Sequence, residues 1–455
     1  MRPITVRIAC VQLAARSVTQ ARGALDDALA GIAAAAALGA HIAVLPECTY
    51  PGYVLLRRET PGGAAGVERA LRDVRAAAVR AGIAVCIGVA RRGDDGVLRN
   101  EAVFIDRRGA EIARYQKIFL WNFDVRWFAP GRAVPAFDTE FGILGMMICA
   151  DGRMPEIART LARRGAWLVL DPTAWVSAGP SYEQMHNPQV DYAMSVRARE
   201  NGLWIAAADK CGSELGAVHY VGRSMIVAPD GSMPACAPAS MPAVIVADVE
   251  RRREHPFVAS LSEAERRALR ARKPPSAKSK APKARVGVLQ GPFRAGRANA
   301  VAALRAQGVE AVVETAASAR SIHAALDAVR GLRSNVIAGT RMLAPEPARA
   351  AALRGADVLV WTGLPKVPGV QDVARTRALE NRVYVIVCSR TSDADASVVV
   401  DPNGDIIGSA LTGEPSGYVA SIDASGARDK VVAPGSDVFA ARIPRAFALF
   451  DGRLP

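Results

Sequence analysis

The sequence predicts an α/β protein built from two related domains. Three observations carry that expectation: short apolar runs alternate with Ala-rich segments, several of those runs end in a charged or nucleophilic residue, and one half of the chain echoes the other. A length of 455 residues allows two or three domains of ordinary size. Residues 42–45, 83–89, 142–148 and 204–208 are apolar throughout and read as strands buried on both faces. Residues 21–38 and 67–81 are rich in Ala and read as the intervening helices.

The run 141–148 ends at Cys149, which is followed at once by Ala150-Asp151-Gly152-Arg153-Met154-Pro155-Glu156. This pattern is a strand that delivers a thiol to a sharp turn just before a helix. Such a thiol is rigidly held, and the partial positive charge of the helix start favours its thiolate. The competing reading is a small buried hydrophobe. Residues 39–47 read as a strand that ends in the carboxylate of Glu47, either solvated at the rim or placed in a crevice. Lys117 lies in Tyr115-Gln116-Lys117-Ile118-Phe119-Leu120-Trp121. It either snorkels to the surface or sends its ammonium inward.

Taken together, these segments resemble the nitrilase superfamily of carbon–nitrogen hydrolases. The resemblance rests on Leu45-Pro46-Glu47, on Tyr115-Gln116-Lys117 followed by Phe128-Ala129-Pro130-Gly131, on Ile148-Cys149-Ala150-Asp151 with Pro155-Glu156, and on Arg197-Ala198-Arg199-Glu200-Asn201-Gly202. It covers residues 5–250, in the family's order. It implies a four-layer α-β-β-α sandwich and a reaction that needs neither metal nor cofactor. Cys149 would attack a carbonyl carbon and form a thioester. A free thiol has a pKa of about 8.5, so Glu47 would take its proton and later pass one to the leaving amine. Lys117 would steady the oxyanion, a donor whose loss typically costs about 3 kcal/mol of barrier. Many members carry a second glutamate between the lysine and the Phe-x-Pro-Gly element. Asp124 stands there, one methylene shorter, and either orients Lys117 or the substrate, or pairs with Arg126 or Arg132.

Nitrilases proper usually carry Trp-Glu after the nucleophile, whereas this chain has Ala150-Asp151. The resemblance is therefore to the amidase and carbamoylase branches, and the implied partner is a small linear amide or ureido (N-carbamoyl) substrate. Arg153 occupies the place of an arginine that helps hold the substrate carboxylate in carbamoyl amino-acid hydrolases, and a guanidinium suits that task. Alternatively it pairs with Glu156. Trp175 follows the next strand and either lines the pocket or belongs to the core. The loop from Ser177 to Pro188 would set pocket size, and His186 and His219 either touch the substrate or are ordinary loop histidines.

The repeat is the second large feature. Pro155-Glu156-Ile157-Ala158-Arg159 is echoed by Pro345-Glu346-Pro347-Ala348-Arg349, and both lead through Arg-Gly-Ala into an apolar strand. Arg197-Ala198-Arg199-Glu200-Asn201 is echoed by Arg377-Ala378-Leu379-Glu380-Asn381, and Arg7-Ile8-Ala9-Cys10-Val11-Gln12 by Arg285-Val286-Gly287-Val288-Leu289-Gln290. Glu314 is the candidate echo of Glu47. No Cys lies between Ser321 and Arg354, and no Lys between Arg285 and Pro365. The expected organisation is a catalytic domain over 1–250, a basic Pro-rich linker over 251–285, and a shortened, noncatalytic copy over 286–455. The linker should carry a short helix from Ser260 to Arg272, capped at Ser260 with Glu263 three residues on, followed by the extended stretch 273–283.

Family members usually dimerise through helices beside the active site, and the shortened copy keeps the matching helices. An internal pseudo-dimer, with further homo-oligomerisation open, is the corresponding expectation. No apolar span reaches the length of a membrane helix, and the chain enters a strand almost immediately, so no signal peptide is expected. Seven scattered Cys suit a reducing cytoplasm. A net charge of +14 raises nucleic acid as a partner, but the arginines are spread along the chain and no zinc spacing or phosphate-cradling glycine motif is found. Outside hydrolysis of an amide or N-carbamoyl bond, the alternatives are nitrile hydrolysis or acyl transfer on the same triad, and a noncatalytic scaffold.

Overall fold

The computed structural model describes residues 5–55, 63–177, 185–251, 256–271, 274, 280–291 and 296–447. The chain divides into two units. The first runs to Pro256 and also takes in Ala433–Ser436, and the second comprises Phe257–Val432 and the described residues from Asp437 onward.

In the first unit the strands are β1 (Thr5–Ala14), β2 (Ile42–Val44), β3 (Ala84–Arg92), β4 (Leu98–Ile105), β5 (Glu111–Gln116), β6 (Ala136–Thr139), β7 (Gly142–Met146), β8 (Leu168–Pro172), β9 (Trp204–Ala208), β10 (Lys210–Glu214), β11 (Val218–Val221), β12 (Met225–Val227), β13 (Ala235–Cys236) and β14 (Ala243–Glu250). One sheet runs β11-β10-β1-β2-β3-β4-β5, with β14 also paired to β1; the other runs β13-β12-β9-β8-β7-β6. The central strands β1, β2 and β3 are parallel, as are β7, β8 and β9. The helices are α1 (Ala21–Ala37), α2 (Gly63–Ala81), α3 (Asp124–Trp127), α4 (Pro155–Arg163) and α5 (Met194–Asn201). β1, β2 and β3 face β8 and β9, while α1 and α2 cover the first sheet and α4 and α5 the second. This is the α-β-β-α sandwich.

Local chemistry explains the boundaries. α1 and α2 turn Leu25, Ala28, Ile32, Val67, Leu71 and Val74 onto Ala9, Val11, Val85 and Ile87 of the sheet. That one-sided apolar stripe makes an Ala-rich segment a surface helix. Pro155 opens α4, where its missing N–H costs nothing, and α5 stops at Gly202, which is left-handed at φ 64°.

The second unit is a shortened copy. Its strands are β15 (Lys283–Gln290), β16 (Ala311–Glu314), β17 (Ser334–Ala338), β18 (Val358–Thr362), β19 (Tyr384–Val387), β20 (Val398–Val400), β21 (Ile406–Ser409) and β22 (Ser416–Asp423). They form the sheets β16-β15-β22 and β17-β18-β19-β20-β21. These match β2-β1-β14 and β7-β8-β9-β12-β13; among the described residues β3 to β6, β10 and β11 have no counterpart. Side-chain latches repeat as well. Gln12 donates to the carbonyls of Pro238 and Met241, and Gln290 to those of Leu411 and Glu414. Buried Arg197 donates to the carbonyl of Gly152 and pairs with Glu200, while Asn201 donates back to its carbonyl. Buried Arg377 does the same with Met342, Glu380 and Asn381.

Two sequence expectations shift in register. The short helix is α6 (Glu263–Leu269), capped by Ser262 with Glu265 reaching back, one Ser-x-x-Glu pattern later than expected. Its Glu265 pairs at 2.6 Å with Arg341, so the helix belongs to the second unit. The end of the expected helix at Arg272 and most of 273–283 lie outside the described residues. Glu314 is not the echo of Glu47. Cys10 pairs with Val44, and its counterpart Val288 pairs with Val313, which aligns Glu314 with Leu45 and Ala316 with Glu47. The Glu314 carboxylate instead pairs with exposed Arg297 at 2.6 Å.

Candidate active site

β2 ends three residues before Glu47, whose backbone N–H is taken by the carbonyl of Thr173 beyond β8. The carboxylate is fully buried. Its Oε1 accepts from Lys117 Nζ and from Asn100 Nδ2 of β4, both at 2.6 Å. Its Oε2 has no hydrogen-bond partner among the described residues. Burial pushes the Glu47 pKa up; the Lys117 ammonium works against that rise and the Asp124 charge adds to it.

Lys117 follows β5 and is locked by its backbone. Its N–H donates to the Asn100 carbonyl and its own carbonyl accepts from Gly131. Gly131 closes the Phe-x-Pro-Gly element, and a Cβ there would sit 2.2 Å from the Gln116 carbonyl oxygen, so only glycine allows this approach. Lys117 Nζ also donates to Asp124 Oδ2 at 2.7 Å. Asp124 is the first residue of α3, is buried, and takes a second bond at the same oxygen from the Trp121 amide. It therefore orients Lys117 and does not pair with Arg126 or Arg132 through that oxygen. Burial disfavours the Lys117 charge, but Asp124 and Glu47 outweigh it and hold its pKa well above the usual value.

Cys149 begins a single 3₁₀ turn, Cys149–Arg153, between β7 and α4, and is left-handed at φ 50°. A non-Gly residue in that region is uncommon. The conformation is held from both sides: Cys149 N–H donates to Asp171 Oδ1, and its carbonyl accepts from Gln189 Nε2. The charges of Glu47 and Lys117 both act on the thiol. The net effect is opposite to the expected thiolate. Burial and Glu47 push the Cys149 pKa well above the usual value, against Lys117 and the Ala174 N–H. A buried thiol beside a carboxylate stays protonated, so nucleophilic attack requires a base at the moment of reaction.

Around this core, Arg153 is buried and its guanidinium lies 4.5 Å over the Trp121 ring. Trp175 is buried beside Ala174; its amide donates to Asp209, and its indole N–H is unpartnered among the described residues. His219 lies in β11, and His186 N–H donates to Ser177 Oγ. Residues 178–184 of the expected pocket loop lie outside the described residues.

Sequence reasoning missed the residues that hold the reactive ones. Asp151 accepts from Tyr115 Oη and the Ile148 amide at one oxygen, and from the Ile118 and Phe119 amides at the other. It ties the Cys149 turn to the segment that follows Lys117, and burial lifts its pKa to about 6. Asn100, Asp171 and Gln189 were also unmarked. For Asp171 a signal existed: it is the one carboxylate in the apolar strand Leu168–Pro172, and a buried charge on a strand needs a reason.

A family model described as carbon-nitrogen hydrolase matches residues 7–256 and 332–429, more than half of the chain. A nitrilase from Pyrococcus abyssi is 34% identical over 221 residues, covering 47% of this chain and 78% of that protein. An omega-amidase from Homo sapiens is 26% identical over 262 residues, covering 54% and 88%. Among solved structures, a double mutant of the amidase from Nesterenkonia sp. AN1 in complex with acrylamide aligns with a TM-score of 0.49 at 29% identity, covering 55% of this chain and 92% of that one.

Proposed function

The chain belongs to the carbon–nitrogen hydrolase family, and on that premise we propose that it hydrolyses the C–N bond of a small linear amide through a thioester on Cys149. The observation that carries this reading is the shared Glu47 carboxylate: one oxygen is held by Lys117 and Asn100, and the other lacks a hydrogen-bond partner among the described residues.

Glu47 Oε2 takes the thiol proton as Cys149 Sγ bonds to the amide carbon. The carbonyl π electrons move onto oxygen, where the Lys117 ammonium stabilises them. Collapse of the tetrahedral adduct breaks the C–N bond, and Glu47 returns its proton to the departing nitrogen, which leaves as ammonia. Water then loses a proton to Glu47 and attacks the thioester. The second tetrahedral adduct releases a carboxylic acid, and the thiolate is reprotonated. Asp124 holds the ammonium and Asn100 the carboxylate, so neither depends on the other alone for its position. Arg153, stacked on Trp121, supports a substrate with a carboxylate remote from the amide, since a guanidinium suits carboxylate recognition.

The second copy does no chemistry in this reading. Gly339 stands where Cys149 stands in the first, and Ala316 where Glu47 stands. The test is ammonia release from a panel of linear amides, N-carbamoyl acids and nitriles. Release from amides, with and without a remote carboxylate, and its loss in Cys149→Ala are expected. Full activity in Cys149→Ala would sink the thioester. Silence across the panel, with Cys149 inert to iodoacetamide, would leave a scaffold.

A further inference from the structure

We infer that Ser436, far along the chain, is a positioning residue for the substrate end of the site and acts through Trp121. The inference rests on the carboxylate reading of Arg153 given above. Ser436 belongs to the first unit and is 1% exposed. Its hydroxyl donates to the Leu120 carbonyl at 2.9 Å and accepts from the Asn122 amide at 2.7 Å. One side chain thus grips the backbone on both sides of Trp121. Asn122 is left-handed at φ 47°, a conformation that persists where surrounding bonds hold it. The preceding Gly435 comes so close to α3 that a Cβ on it would lie 2.8 Å from the Val125 side chain. The segment therefore meets the loop at two points.

The loop held in this way carries the Trp121 ring beneath the Arg153 guanidinium. Lys117 depends on it less, because Glu47 and two backbone bonds hold Lys117 from outside the loop, whereas its other partner Asp124 is bonded to the Trp121 amide. Loss of the Ser436 grip should therefore disturb recognition of a charged substrate more than it disturbs the chemistry.

The experiment compares alkylation of Cys149 in the full chain by iodoacetate and by iodoacetamide, followed on the Cys149 peptide. In Ser436→Ala the iodoacetate-to-iodoacetamide rate ratio should fall on the order of fivefold, with the iodoacetamide rate nearly unchanged and Tm lower by a few degrees. Ser436→Thr, which keeps the hydroxyl, should restore it. For amides with a remote carboxylate, KM should rise while kcat holds. Quenching of tryptophan emission by trichloroethanol should increase in Ser436→Ala, and this increase should vanish in a Trp121→Phe background. Unchanged quenching, or an iodoacetamide rate that falls as far as the iodoacetate rate, would overturn the inference. Arg153→Gln separates the two readings. An unchanged ratio there sinks the carboxylate reading alone, whereas a changed ratio there with no change in Ser436→Ala sinks the role of Ser436.

Discussion

Two turns in this chain share a backbone and differ in what they present. Cys149 and Gly339 both follow a buried strand, both are left-handed at φ 50° and φ 62°, and both precede a helix that opens with Pro-Glu. The Arg-Glu-Asn latch clasps each turn through a carbonyl, Gly152 in one and Met342 in the other. Where Asp171 reaches the Cys149 amide, the second copy has Trp361, which is fully buried and donates its indole N–H to the Gly339 carbonyl. The comparison separates two jobs. The latch and the turn are requirements of the fold and outlast the chemistry. Thiol, carboxylate and ammonium are what the proposed reaction requires; the first two are replaced by Gly339 and Ala316, and the third by nothing, since the hairpin that bears Lys117 has no counterpart among the described residues.

The sharpest way to break this contrast is to exchange the two residues. Cys149→Gly should lower kcat by on the order of 10⁴-fold or more, measured as ammonia release. Gly339→Cys, made in a Cys149→Gly background, should yield no activity, because Ala316 supplies no base and Trp361 fills the space. A thioester formed on the introduced thiol from a labelled amide would refute the separation of roles. Lys117→Met comes next. It should lower kcat roughly a hundredfold or more and, by stranding Glu47 and Asp124 as unpaired buried carboxylates, cost about 3 kcal/mol or more in urea unfolding of the first unit.

The pH profile is a third test. Four donors face Asp151, so only the ionised form satisfies them all. As pH falls through about 6, its carboxyl takes a proton, one donor loses its partner, and the tie between the Lys117 segment and the Cys149 turn loosens. Activity should drop about tenfold per pH unit below that point, and Asp151→Asn should be slow at every pH and lack that limb. A flat acid limb in the unaltered protein would count against the tie. Smallest in its effect on activity is Arg377→Met. It should destabilise the second unit by about 3 kcal/mol by taking the Arg377 charge away from buried Glu380, and leave kcat/KM of the folded protein unchanged. The matching Arg197→Met should lower both.

Glu47, Lys117, Asp124 and Cys149 were legible only together, as the ordered motifs of the family the sequence resembles; taken singly, each strand end or strand-to-turn transition left a purely structural reading open. The repeat was legible because its latch residues lie three and four apart on one helix. Asn100, Asp171 and Gln189 reach their targets across 53, 22 and 40 residues, and Ser436 reaches Asn122 across 314. Spacing along the chain holds no trace of such contacts. The misplacement of Glu314 is instructive in another way: a shared strand pattern left its alignment ambiguous by two residues, and only the pairing with β15 resolved it.

The upward push that burial and Glu47 give the Cys149 pKa has a consequence beyond hydrolysis. Peroxide attacks thiolates, and a thiol kept neutral by burial and a neighbouring carboxylate is a poor target. The enzyme should therefore lose activity slowly in hydrogen peroxide while idle, and exposed Cys236 should be the first thiol to gain oxygen.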